Sequence, residues 1–122
     1  MKKKIYLSYD LSIQGDYINL YKWLDAHQAK ECGDSVCLIT YEFTGVEAND
    51  TDESSLNMLR LLKQDLNDSI SFGNSDRVYI MGDLFYKTGE QLVGAWVVGS
   101  RKASNPWDGF SNKEDEDPKV DE

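Results

Sequence analysis

Ile5, Leu7 and Tyr9 alternate with Tyr6, Ser8 and Asp10, so residues 3–11 predict a strand with one buried face. Gly15 interrupts the pattern, and Asp16 can cap a helix by accepting from its first free backbone N–H groups. Tyr17, Leu20, Tyr21 and Leu24 then recur at helical spacing, with Trp23 widening the apolar stripe and the helix fading near Lys30. Gly33 and Asp34 predict a turn, and residues 35–44, rich in β-branched and aromatic side chains, a second strand. A second amphipathic helix is marked by Leu56, Leu59, Leu62, Leu66 and Ile70, ending near 71–73. Asp50 and Glu53 have capping-box spacing at its start, and Asp52 is an equally good cap.

Asn74-Ser75-Asp76 turns the chain into a third strand over 77–82. Residues 91–99 predict a fourth, where Gly94 and Gly99 mark places of close packing. A further short strand fits 83–86 or 107–110, and Asn105 to Phe110 reads as an aromatic clasp folding back on the domain. The order is β-α-β-α-β-β. Two helices against one sheet give an α/β (α+β) two-layer sandwich, and a ferredoxin-like arrangement best satisfies right-handed crossovers. Two helices are too few to cover both faces of a flavodoxin-like sheet.

The chain has 122 residues and a formal charge of −9, with 40% apolar residues, enough for one core and one domain over 1–112. Residues 113–122 carry six acids, two bases and a single aliphatic side chain, so they are expected as a disordered acidic tail. No apolar run reaches membrane-spanning length, and Lys2-Lys3-Lys4 is followed too soon by polar residues for a secretory leader, so a cytoplasmic location is expected. Net acidity disfavours direct nucleic-acid binding, and the basic runs are short: Lys2-Lys3-Lys4 and Arg101-Lys102.

Candidate chemistry is sparse. His27, Cys32 and Cys37 follow H-x4-C-x4-C, looser than structural zinc sites, which also need a fourth ligand. The plainer reading makes His27 a solvated helix residue, Cys32 a turn residue and Cys37 a buried strand residue. No nucleophilic triad can be assembled and no glycine loop cradles a phosphate. Trp23 and Trp96 read as core, Trp107 as an exposed or interface aromatic.

The first strand Ile5-Tyr6-Leu7-Ser8-Tyr9-Asp10, then Gly15-Asp16-Tyr17, Asp34-Ser35, Asn74-Ser75-Asp76 and Trp107-Asp108-Gly109-Phe110, resemble a group of small ferredoxin-fold proteins. These are relatives of the lesser subunit of the CRISPR spacer-integration complex and of the virulence-associated VapD proteins. The resemblance implies a homodimeric endoribonuclease in which Asp10 of each subunit binds Mg²⁺ or Mn²⁺, since a hard cation requires carboxylate oxygens. Read from its position alone, Asp10 is a strand-end residue of the kind that hydrogen-bonds nearby backbone N–H groups.

Two functions compete. The first is a non-enzymatic acidic binding protein without cofactor, of the phage or mobile-element anti-defence type, occupying a basic surface of a host nucleic-acid-handling protein. Its contact residues would be Glu47, Asp50, Asp52, Glu53, Trp107 and Asp108. The second is the Asp10 nuclease with its Mg²⁺ or Mn²⁺, and a homodimer fits either.

Overall fold

The computed structural model describes residues 2–44, 52–83, 92–100 and 105–112, and for 52–55 and 83 the backbone alone. The elements are β1 (Lys2–Asp10), α1 (Tyr17–Ala26), β2 (Lys30–Gly33), β3 (Val36–Glu42), α2 (Asp52–Ser69), β4 (Arg77–Asp83), β5 (Leu92–Val98) and a 3₁₀ turn at Phe110–Asn112. They build a two-layer α+β sandwich of the ferredoxin-like kind. One five-stranded sheet in the order β2-β3-β1-β4-β5 has every neighbouring pair antiparallel. The observed order is β-α-β-β-α-β-β, one strand more than expected.

The additional strand is β2, where the stripe of α1 had suggested continued helix. Gln28 N–H donates to Asp25 O and Ala29 N–H to Leu24 O, while Gln28 takes a left-handed φ of 54°. This pair of bonds closes a helix C-terminus, with Gln28 where glycine is usual. The chain is thereby free to extend at Lys30. The turn falls on Asp34 and Ser35, with φ of 62° at Ser35, and Cys32 bulges out of the ladder.

Both helices cover one face of the sheet. Ile5 and Leu7 of β1, Cys37 and Ile39 of β3, and Val78 and Ile80 of β4 form a single buried cluster with Leu20, Trp23 and Leu24 of α1 and Met58, Leu59, Leu62 and Leu66 of α2. Leu56 is 59% exposed and does not join it, its place on the helix falling to Met58. Two carboxylates tie the loops at one end of this core. Asp76, almost wholly buried, accepts from Ser12 N–H at 2.8 Å and Gly73 N–H at 2.6 Å. Asp16 caps α1 through Asn19 N–H and also accepts from Ser71 N–H at 2.9 Å. The β1–α1 loop and the α2–β4 loop are thus held by one acid from each side.

Among the described residues, no helix is long and apolar enough to cross a membrane. The expected clasp is not closed at Trp107, which is 68% exposed. The turn around it is completed by its own backbone, Asp108 N–H to Asn105 O and Phe110 N–H to Trp107 O, and residues 107–110 form no strand. The alternative short strand over 83–86 lies outside the described residues beyond Asp83 itself, as does the tail 113–122.

Candidate interaction surfaces

Asp10 closes β1 on the face opposite the helices, exposed and directly across from Arg77 of β4. A cation as its cross-strand neighbour competes with any divalent ion for the carboxylate. Among the described residues no three His, Cys, Asp or Glu side chains converge as a metal site.

The H-x4-C-x4-C residues have separate roles. Cys37 is buried, its thiol directed at Leu7 O, and burial pushes its pKa up to about 11, so it stays protonated and a poor metal ligand at neutral pH. Cys32 is exposed at the bulge. His27 is half-buried rather than solvated: its ring stacks on Trp23 with centroids 3.9 Å apart. Nδ1 lies 2.7 Å from Trp23 O, and since a carbonyl only accepts, the ring proton is on Nδ1. Tyr41 and Phe43 continue this aromatic row, and the indole N–H of Trp23 has no acceptor among the described residues.

Tyr41 leads to a cleft between the end of β3 and the outer side of α2. Its volume is about 290 Å³, and its lining includes Phe43, Leu61, Gln64 and the acids Glu42, Asp65 and Asp68. The Tyr41 hydroxyl donates to Asp65 at 2.5 Å, and burial together with that bond raises its pKa well above the usual tyrosine range. Asp68 accepts from Gln64 Nε2 at 2.8 Å. Asp65 and Asp68 are three residues apart on α2, so both carboxylates border the same opening. Composition could not single them out from the other 20 Asp and Glu residues, because the pairing of β3 with the helix layer brings Tyr41 to them.

Of the expected partner contacts, Asp52 and Glu53 form the first turn of α2, and Trp107 and Asp108 are exposed on the 105–112 segment. Glu47 and Asp50 lie outside the described residues.

Among the described residues, the opposite face of the sheet carries no helix. Register places Tyr6, Val36, Leu38, Tyr79, Met81, Trp96 and Leu92 there, all half-buried or exposed. Trp96 is therefore a sheet-surface residue rather than core, packed edge-on against Tyr79 with centroids 5.0 Å apart. Gly94 lies beneath the Tyr79 ring, which occupies the place of any side chain there.

Comparison with protein-family models, with curated proteins and with solved structures returned no match.

Proposed function

We propose that this chain is a small non-enzymatic binding protein that engages a basic surface of another protein, in the manner of anti-defence inhibitors that occupy nucleic-acid-handling proteins. The observation that supports this reading is the cleft bordered by the acids Asp65 and Asp68. It is wide enough to admit a lysine or arginine side chain, its apolar wall of Phe43 and Leu61 suits the aliphatic stem, and its carboxylates suit the charged head. Tyr41 holds Asp65 in place beforehand, which lowers the entropy lost on binding. The chain's charge of −9 adds long-range attraction to a basic partner.

Tagged wild-type protein and the Asp65→Asn/Asp68→Asn variant are passed over host lysate in parallel. The reading expects one stoichiometric basic protein retained by the wild type, released by salt, and lost or much depleted with the variant. Equal retention by both proteins would exclude the cleft. The hydrolytic reading through Asp10 gains no comparable support, since the neighbour across the ladder is Arg77.

A further inference from the structure

Charge is unevenly divided between the two sides of the molecule. Lys2, Lys4, Lys30 and Arg77 occupy register positions on the helix-free face, four of the eight described cations. Only Asp10, Glu42 and position 83 contribute acids there, three of the thirteen described. That face is therefore slightly cationic in a chain of net −9. Its middle is aromatic: Tyr6 on the central strand is 43% exposed, Tyr79 stands on the adjacent strand, and Trp96 lies beyond it. Lys4 and Lys2 precede Tyr6 on its own side of β1, and Arg77 precedes Tyr79 on β4, with Lys2 directly across from Glu42 and Arg77 directly across from Asp10. Lys30 stands across β3 from Tyr6, opposite Leu38.

We propose that the helix-free face of the sheet binds a single strand of RNA or DNA, with Tyr6, Tyr79 and Trp96 as the stacking platform and Lys2, Lys4 and Arg77 as phosphate contacts. Unstacked bases have two bare π-faces, and the exposed Tyr6 ring with the half-buried Tyr79 and Trp96 supplies partners to them without regard to sequence. Duplex DNA presents no such faces and would meet the overall negative field of the chain. Lys4 beside Tyr6 and Arg77 beside Tyr79 match the alternation of base and phosphate along a single strand. The surface lies on the opposite side of the sheet from the acidic cleft, so the two are tested separately.

The experiment uses the full chain with fluorescein-labelled 12-mers of oligo(U) and oligo(dU), and a 12-base-pair duplex as competitor, read by anisotropy at low salt. Binding of one or both single strands is expected, with a logarithmic salt slope of about −0.7 for each phosphate contacted. A preference for one strand identifies the sugar that is read. Tyr6→Ala should weaken binding on the order of ten-fold, because base stacking on one ring is of that size. Lys2→Gln/Lys4→Gln should flatten the salt slope and leaves the rings untouched, so it answers the question should Tyr6→Ala fold poorly. Asp65→Asn/Asp68→Asn should bind the strands at least as tightly as wild type does, since it removes two negative charges and leaves the platform intact. The proposal is overturned if neither strand binds, if the duplex competes equally, or if both platform variants bind like wild type. It is overturned too if light scattering shows a dimer that Tyr6→Glu dissociates, because a second copy would then cover the face.

Discussion

Asp76 shows how much of this fold rests on a single side chain. Its carboxylate takes N–H donors from Gly73 and Ser12, and these bonds hold its pKa below the ordinary value of 3.8. Asp16 is lowered as well, first by Ser71 N–H and then by Asn19. A carboxylate depressed in the folded state contributes stability above its unfolded pKa, and that contribution is lost as pH falls through the folded value. The thermal midpoint should thus be level near neutrality and fall once pH drops below about 4. Asp76→Asn should cost about 2 kcal/mol at neutral pH, since hydrogen bonds to a charged acceptor are lost in a buried setting, and should make the acid limb shallower. Urea titrations of both proteins from pH 6 to pH 2 check the two statements together. At the cleft, Tyr41→Phe removes one bond and should cost about 1 kcal/mol, read by the same titration. Asp76 was legible as a turn residue, as its local bond from Gly73 N–H shows; its burial was not, because the second donor, Ser12 N–H, comes from a loop 64 residues away.

At the scale of elements, strong periodicity was read correctly and special backbone geometry was not. Leu20, Trp23 and Leu24, and Leu59, Leu62 and Leu66, lie in the core where helical spacing puts them, whereas Tyr21 of the first stripe is exposed. Leu62→Ala should therefore cost 2–5 kcal/mol, roughly the range for emptying a buried leucine site. Leu56→Ala, at an exposed position, should stay within about 0.5 kcal/mol. Strand β2 was missed for two reasons. The residue that ends α1 in the left-handed region is Gln28 rather than glycine, and Lys30–Gly33 is exposed at every position, so no alternation betrays it. The same observation predicts a gain: Gln28→Gly should stabilise the protein by up to about 1 kcal/mol, through release from an unfavourable φ, as a higher midpoint in thermal unfolding.

For the whole molecule, the arrangement of charge carries more than its sum. A net −9 argued against any phosphate-binding face, yet half of the described cations share the side of the sheet that neither described helix covers. This was invisible along the chain because Lys4, Lys30 and Arg77 are far apart in sequence and meet only through strand register. The acids foreseen at 47 and 50 fall outside the described residues, whereas Asp65 and Asp68 became distinctive only through Tyr41. The platform also depends on one absent side chain. Gly94→Val would displace the Tyr79 ring from β5 and should weaken oligonucleotide binding several-fold, with the far-ultraviolet circular dichroism of the sheet retained.

The two margins of the sheet differ, and this bears on what the protein does when crowded. On one side β2 is four residues long, charged and bulged at Cys32, a margin that resists extension. On the other, Leu92–Val98 runs for seven residues without a charge, and no described strand pairs with its outer edge. Growth from such a sheet has only one live end. Two copies joined along that seam would present blunt margins to both sides, so concentration would drive the chain to a closed pair instead of a fibril.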